Sequence, residues 1–242
     1  MTETLSIVIP VLNEEEGIAH MLKGAIMHHE ERDAPWEILV VDNASTDRTC
    51  ERVEPFLDDP RVRLLRNEVN EGKGYSIRRG MLEATGELRL MCDADCLTSL
   101  TSLPHLERAI EDADVVCGSR VSKGALVDRQ QPPRRRFVGF GFLMLTRVAL
   151  GRLARDVYCG FKLWRAEVAV AAFERVELTG WVFDAEALAL AKALGYRVVE
   201  VGIEWSDRPD SRLSIRNVLV PVVGELRTAR RNVRRARRGR DA

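Results

Sequence analysis

Residues 5–42 read LSIVIPVLNEEEGIAHMLKGAIMHHEERDAPWEILVVD and contain the pattern that decides the fold. Two runs rich in Val, Ile and Leu, LSIVIP at 5–10 and EILVVD at 37–42, have the near-continuous apolar character of buried parallel strands. Between them, residues 14–28 repeat apolar side chains at helical spacing. The stretch is therefore predicted to form a β-α-β unit with a right-handed crossover.

The same alternation continues to residue 118. Further strands are predicted at 62–66, 87–93 and 114–118, and further helices at 46–54, 74–84 and 103–111. Repeated β-α-β units indicate the α/β class, with one mostly parallel sheet covered by helices on both faces. Ligands of such sheets bind at the carboxyl ends of the strands. The polar residues at these ends are therefore expected to share one crevice: Asn13, Asp42, Asn43, Asp93, Asp95, Ser119 and Arg120.

Beyond residue 120 the pattern is less regular. Residues 122–136 are polar, contain two prolines and three consecutive arginines, and are predicted to form an exposed loop, whereas DVYCGFKLW at 156–164 is interpreted as irregular. The remaining predicted elements are helices at 137–150, 166–173, 184–194 and 215–238 and a strand at 196–205. Because no long linker is present, we expect one domain over 1–226 followed by an Arg-rich tail at 227–242.

The composition suits one α/β domain with a sizeable core, because 45% of the 242 residues are hydrophobic. Lys plus Arg and Asp plus Glu both number 37, which excludes a chain that is acidic or basic overall. The charge is nevertheless uneven. Residues 227–242 hold eight Arg and one Asp and so carry about +7, whereas the other 29 basic and 36 acidic residues sum to about −7.

Cysteine usage and hydropathy bear on location. The five cysteines are odd in number and mostly lie in apolar runs, which favours a reduced cytosolic protein over a disulfide scaffold. Cys92 and Cys96 lack a second Cys or His pair at zinc-site spacing, so a metal-thiolate site is disfavoured. The first ten residues show no secretory signal, and the 14-residue apolar stretch at 137–150 is shorter than the roughly 20 residues that span a bilayer.

The motif Asp93-Ala94-Asp95 lies where a predicted apolar strand ends in the crevice. Two carboxylates one residue apart can share a hard divalent cation such as Mg²⁺ or Mn²⁺, which neutralises substrate phosphates. The alternative is that both aspartates only form a turn or cap a helix. The loops DNASTD at 42–47 and NEEE at 13–16 also end strands and open helices, where they suit either a nucleotide or simple helix capping.

These motifs resemble family 2 glycosyltransferases of the GT-A fold, the nucleotide-diphospho-sugar transferase fold. The resemblance is carried by IVIPVLNEEE (7–16), VVDNASTD (40–47), NEGKG (70–74) followed by Arg78-Arg79-Gly80, and DAD (93–95). Five further motifs resemble the polyprenyl-phosphate branch of the family, which includes dolichyl-phosphate glucosyltransferases and mannosyltransferases. They are GSR (118–120), DVYCGFKLW (156–164), WVFDAEAL (181–188), GYRVVEV (195–201) and EWSDRPDSRLS (204–214). The similarity extends over about residues 5 to 220, with the motifs in the expected order.

The resemblance implies a nucleotide-sugar donor held with Mg²⁺ or Mn²⁺. The implied donor residues are Pro10, Asn13 and Glu14 in the nucleotide pocket, Asp42 and Asn43 at the base, Lys73 at the nucleotide end, Asp93 at the ribose or metal, and Asp95 at the metal. Three positions depart from the family pattern. Asn43 and Ala44 stand where relatives commonly have Asp and Gly, and Leu97 stands where relatives often have a polar residue that assists the metal.

The resemblance also implies a clamp for the acceptor phosphate. The matching arginines are Arg120, Arg134, Arg135, Arg136 and Arg212. A guanidinium fork suits a phosphate dianion because it donates two parallel hydrogen bonds. For the triplet at 134–136, the alternative is a solvated, charged loop.

Three aspartates are the candidate catalytic residues: Asp95, Asp156 and Asp184. A lipid phosphate is ionised at neutral pH and can attack the sugar without a strong general base. The main requirement is then to offset charge on the leaving diphosphate. Asp184 matches the position of the base in enzymes with hydroxyl acceptors, and here is expected to orient the sugar or acceptor unless it only caps a helix.

The leading hypothesis is an inverting transferase that moves a hexose, glucose in preference to mannose, to a polyprenyl phosphate. The apolar helix at 137–150 and the Arg-rich tail are expected to bind a membrane surface, peripherally at the cytoplasmic inner face, unless the helix packs on the core. No groove-reading motif favours nucleic acid. The alternatives are a GT-A transferase with a soluble acceptor and a non-catalytic GT-A binding domain.

Overall fold

The computed structural model describes residues 3–30, 34–128, 133–206 and 215–240, and only the backbone of 133–137, 215–221 and 240. Its main sheet is built from seven strands: β1 (Leu5–Val11), β2 (Trp36–Asp42), β3 (Val62–Arg66), β4 (Leu88–Cys92), β5 (Val115–Ser119), β7 (Phe161–Arg165) and β8 (Val198–Gly202). Two short strands, β6 (Leu126–Val127) and β9 (Glu204–Trp205), pair with each other.

Eight helices accompany the strands in the described part of the chain: α1 (Ile18–Glu30), α2 (Thr49–Val53), α3 (Lys73–Glu83), α4 (Leu103–Ile110), α5 (Pro133–Leu150), α6 (Ala166–Phe173), α7 (Phe183–Ala193) and α8 (Ile215–Arg240). Two 3-10 turns, Glu54–Phe56 and Leu97–Ser102, extend α2 and precede α4. The predicted helices at 14–28, 74–84, 103–111 and 184–194 are thus present with shifted ends.

The strand order is β3-β2-β1-β4-β7-β5-β8, and all neighbours are parallel except at β7, which runs antiparallel to β4 and β5. The predicted α/β class with a mostly parallel sheet is confirmed. The interpretation of 156–164 as irregular is wrong for its second half, which contributes β7 to the middle of the sheet. Lys162 is buried within β7. The sequence does not indicate this strand, because a lone charge in an apolar run is typical of exposed chain.

Alternating side chains of the strands build one apolar layer on each face of the sheet. Ile7 and Ile9 of β1 pack with α1 and α4, whereas Val8 faces α3, α6 and α7. The side chains of these three residues are fully buried. Because helices cover both faces, the loops at the carboxyl ends of the strands remain as the polar edge of the domain.

The carboxyl-terminal helix belongs to the domain rather than to a tail. α8 is continuous across the predicted boundary between residues 226 and 227, and Ala229 and Val233 are buried in the core. The predicted loop at 122–136 is also wrong at its end, because residues 134–136 lie in the first turns of α5. Within the described residues, no helix combines the length and apolar composition needed to cross a bilayer.

Candidate active site

Hydrogen bonds join the loop after β1 to the loop after β2. Asn13 has a positive φ of 55°, its backbone N–H donates to Ser45 Oγ at 2.9 Å, and its Oδ1 accepts from the Thr46 N–H at 2.8 Å. The Glu14 N–H donates to Thr49 Oγ1 at 2.8 Å. Pro10 lies beside Val41 in the register of these two strands. The structure thus brings Pro10, Asn13 and Glu14 to one edge and gives Asn13 a structural contact, whereas their place in a nucleotide pocket stays a prediction.

Asn43 fixes the loop that precedes α3. Its Nδ2 donates to Asn70 Oδ1 at 2.8 Å, and its Oδ1 accepts from Asn67 Nδ2 at 3.2 Å and from the Glu71 N–H at 3.1 Å. An aspartate could accept the latter two bonds but not donate the first. The Asn at this position is therefore suited to hold the loop. Its predicted contact with a base stays a prediction, because its buried amide already has protein partners.

Asp42 is fully buried at the end of β2. Its carboxylate accepts from the Ser45 N–H at 3.2 Å and lies 4.0 Å from Nε of Arg66. These contacts hold the turn after the strand. They correspond to helix capping, which the sequence allows as the alternative to nucleotide binding for this loop. A contact between Asp42 and a base likewise stays a prediction.

Ala44 has a φ of 61°, in the left-handed region that favours glycine. This strain gives the physical reason for the glycine that relatives commonly carry here. Replacing Ala44 with Gly should raise the free energy of unfolding by about 0.5 kcal/mol, because relief of about 1 kcal/mol of strain exceeds the added entropy of the unfolded chain. Urea unfolding measures the change; Ala84→Gly, at a φ of −64° and a buried position, should instead be destabilising, because it relieves no strain and removes a packed methyl group. An Ala44→Gly variant that is less stable than the parent contradicts this reading.

The glycines that flank Lys73 place it at the start of α3. A Cβ on Gly72 would lie 2.5 Å from the Thr179 carbonyl oxygen, and a Cβ on Gly74 would lie 2.7 Å from that of Leu178. The Gly74 N–H also donates to Thr179 O at 2.9 Å. The close packing against residues 178–179 therefore requires glycine on both sides of the lysine. This packing directs the Lys73 side chain toward the end of β4, and Lys73 Nζ lies 2.6 Å from Asp93 Oδ2.

Asp93 and Asp95 follow β4 and meet the loop before β7. The Asp93 N–H donates to the Gly160 carbonyl at 2.9 Å, and a Cβ at 160 would lie within 1.9 Å of Asp93 Oδ2. Gly160 in the CGFK stretch thus leaves room for the carboxylate. Ligand atoms of Asp93, Asp95 and Cys96 all lie within 4.8 Å of one another.

A divalent cation fits this pair of carboxylates. Asp93 Oδ1 is buried and has no hydrogen-bond partner among the described residues, whereas Oδ2 is bonded to Lys73. Buried carboxylate oxygens are normally satisfied, and hard cations prefer such oxygens. Leu97, which departs from the family pattern, packs instead against α1, where a Cβ on Gly24 would lie 2.5 Å from its Cδ1. The candidate cation ligands are therefore Asp93 and Asp95.

Asp184 forms a buried ion pair with Lys162. Lys162 Nζ lies 2.5 Å from Asp184 Oδ1 and also donates to the Cys159 carbonyl. Burial raises the pKa of Asp184, while Lys162 and Lys73 oppose that effect. Asp184 is therefore part of a row of alternating charges that continues through Lys73 to Asp93. Sequence reasoning missed Lys162, and the only signal for it was a single lysine inside the apolar run FKLW.

Asp156 pairs with Arg120. Arg120 Nε and Nη2 each lie 2.7 Å from an oxygen of Asp156, whose backbone N–H donates to Glu200. Although burial opposes its ionisation, the bonds from Arg120 hold the pKa of Asp156 below its usual range. The Arg120 guanidinium carbon also lies 5.1 Å from the centroid of the Trp205 ring. Asp156 is thus placed to orient Arg120, a role that the sequence did not indicate.

The remaining predicted acceptor residues are Arg134, Arg135, Arg136 and Arg212. Arg212 lies outside the described residues, as do the side chains of residues 134–136.

Comparisons with known proteins identify the family of the chain. The family model of glycosyl transferase family 2 matches residues 6–171. A dolichyl-phosphate beta-glucosyltransferase of Trichomonas vaginalis is 34% identical over 88% of this chain, and one of Homo sapiens is 31% identical over 88%. This chain spans 66% and 70% of their respective lengths.

Solved structures show the same fold. Glucosyl-3-phosphoglycerate synthase of Mycobacterium tuberculosis, in complex with Mn²⁺, UDP-glucose and phosphoglyceric acid, aligns with a TM-score of 0.66 at 19% identity, over 94% of this chain and 80% of its own. S. aureus TarS aligns with a TM-score of 0.58 at 19% identity, over 84% of this chain and 60% of its own. The GT-A fold is confirmed, and the chain belongs to glycosyltransferase family 2.

Proposed function

We propose that this protein transfers glucose from UDP-glucose to a polyprenyl phosphate with inversion at the anomeric carbon. The observation that carries the proposal is the meeting of Lys73, Asp93 and Asp95 at the carboxyl edge of the sheet, with one buried Asp93 oxygen unpaired among the described residues. The similar proteins are dolichyl-phosphate beta-glucosyltransferases, which supports glucose and the lipid acceptor.

Asp93 and Asp95 would hold Mg²⁺ or Mn²⁺ beside the donor diphosphate. The solved relatives crystallised with Mn²⁺ or Mg²⁺ and UDP support this choice of ion and nucleotide. The bound ion offsets the negative charge of the diphosphate.

Lys73 supplies a second positive charge to the leaving diphosphate. Burial alone would lower the pKa of Lys73, but Asp93 and Asp184 raise it above its ordinary value, so the ammonium group stays protonated at neutral pH. A fixed cation beside the site of charge development stabilises the transition state without reorganisation.

Arg120 binds the acceptor phosphate. Its bidentate contact with Asp156 and its position over Trp205 fix the guanidinium, whose remaining N–H donors suit an oxyanion. Three apolar side chains follow it on the surface: Val121, Leu126 and Val127 are all exposed. Apolar groups beside an anion site fit a phosphate that is attached to an apolar chain.

The reaction needs no strong base. An oxygen of the ionised acceptor phosphate forms the new bond to the anomeric carbon, and the bond from that carbon to the diphosphate breaks with its electron pair leaving on the diphosphate. Asp184, already paired with Lys162, orients the sugar rather than removing a proton.

The enzyme acts peripherally at the cytoplasmic face of a membrane. All five cysteines are free, which supports a reducing compartment. The exposed apolar residues of the acceptor edge support contact with a lipid surface.

A soluble acceptor is the second candidate, because glucosyl-3-phosphoglycerate synthase shares the fold over 94% of the chain. The test presents UDP-glucose or GDP-mannose, with Mg²⁺ or Mn²⁺, to a short polyprenyl phosphate and to 3-phosphoglycerate. We expect glucose to enter the organic phase only with the lipid acceptor. A water-soluble product alone supports the second candidate, and no transfer in any combination indicates a non-catalytic domain.

A further inference from the structure

An apolar ridge lies on the outer side of α5. Phe140, Leu145 and Val148 are 59%, 44% and 83% exposed, although each is an apolar side chain. On the other side of the same helix, Phe142 and Leu143 pack against the core. α5 is therefore apolar on both sides, and one side has no partner within the described chain. The apolar stretch at 137–150 therefore packs on the core with only one of its two sides.

A row of arginines lies beside the carboxyl-terminal end of α5. Arg230, Arg234 and Arg237 line a surface groove together with residues 149–151, which end α5 and follow it. Their spacing of four and three residues places them on one face of α8. All three are exposed, and within the described residues none forms an ion pair.

The positive charge of α8 is not balanced on its own surface. Between residues 222 and 239 the helix has one acidic residue, Glu225, and that carboxylate points inward, since it accepts from the Val182 N–H at 3.1 Å. Apart from Arg235, which lies 3.5 Å from Glu177, the exposed arginines of this helix face solvent without an acidic partner in the described structure. This part of the surface therefore attracts anions.

We propose that the α5 ridge and the Arg230-Arg234-Arg237 row together form a docking surface for a bilayer of anionic lipids. The inference rests on the proposed peripheral location and names the surface and the lipid charge that produce it. A lipid interface accommodates apolar side chains and arginines side by side, because acyl chains take the former and head groups the latter. A nucleic acid would pair with the arginines but leave Phe140 and Val148 in water.

Vesicle sedimentation of the full chain, without donor or acceptor, tests the surface. We expect binding to phosphatidylglycerol-containing vesicles, weak binding to pure phosphatidylcholine, and loss of binding at high salt. The variant Arg230→Gln, Arg234→Gln, Arg237→Gln should weaken partitioning about a hundredfold, at about fivefold per arginine. The matched control replaces three exposed arginines elsewhere by glutamine, Arg52, Arg108 and Arg197, and should partition as the parent does.

The ridge is tested separately with Val148→Ser. Because Val148 is 83% exposed, this variant should fold normally and lose about tenfold in partitioning. Three outcomes overturn the proposal. They are equal loss of binding in the triple variant and its control, parent-like binding by both test variants, and tighter binding to RNA than to anionic vesicles. Transfer to a short, water-soluble polyprenyl phosphate should be unchanged in the docking variants. A failure of transfer in the parent therefore counts against the proposed function and not against the docking surface.

Discussion

We expect replacement of Asp95 by asparagine to lower the rate of glucosyl transfer about a thousandfold while the protein stays folded. The amide keeps the shape of the side chain but removes the negative charge that a divalent cation requires, and loss of one preorganised electrostatic contact costs two to three orders of magnitude. Because Asp95 is only partly buried and asparagine keeps its shape, the variant should still fold. The measurement is kcat as a function of Mn²⁺ concentration, with Mn²⁺ affinity followed by calorimetry.

A matched control separates metal binding from a general loss of charge. Asp112→Asn removes one carboxylate from an exposed turn after α4 and should leave kcat and Mn²⁺ affinity unchanged. If Asp95→Asn retains full activity at limiting Mn²⁺, the assignment of the cation to Asp93 and Asp95 is wrong. If it loses activity with unchanged Mn²⁺ affinity, Asp95 acts on the sugar instead of the ion.

The alternating units of the first 118 residues could be predicted from sequence because each buried strand is a continuous apolar run. β7 could not be predicted in this way, because the residue that pairs with its buried lysine comes from another element. Lys162 is compatible with a central strand only because Asp184, at the start of α7, lies beside it. Such a pairing is a tertiary contact between residues far apart in the chain, and no local periodicity contains it.

The convergence of polar residues at one edge could also be predicted, since parallel strands end on the same side of the sheet. The direction of each side chain could not. Asn43 turns toward the loop before α3, and Asp156 turns toward Arg120, because neighbouring loops supply their partners. Sequence position therefore identifies the rim of the site, whereas the division between ligand-binding and positioning residues depends on the packing of loops that are distant in sequence.

We expect replacement of Lys162 by methionine to lower the free energy of unfolding by about 3 to 5 kcal/mol, because removing one partner of a buried pair leaves the other charge uncompensated. Lys162 and Asp184 are almost fully buried, so solvent screens neither of them. Urea unfolding measures the loss. The double variant Lys162→Met, Asp184→Leu should recover most of it, since an apolar pair of similar volume needs no compensation. A double variant no more stable than Lys162→Met would show that shape, not charge, holds this site together.

The pH dependence of the single variant distinguishes an uncompensated charge from a packing defect. Burial raises the pKa of Asp184, and without Lys162 that effect is opposed chiefly by Lys73. The native state then binds a proton that the unfolded chain releases at its ordinary pKa, so stability falls as pH rises through the interval between the two values. The deficit of Lys162→Met should therefore be smaller at pH 4 than at pH 8, whereas a packing defect would be equal at both. Recovery of stability without recovery of transfer in the double variant would show that transfer needs the Lys162–Asp184 pair independently of its part in the fold.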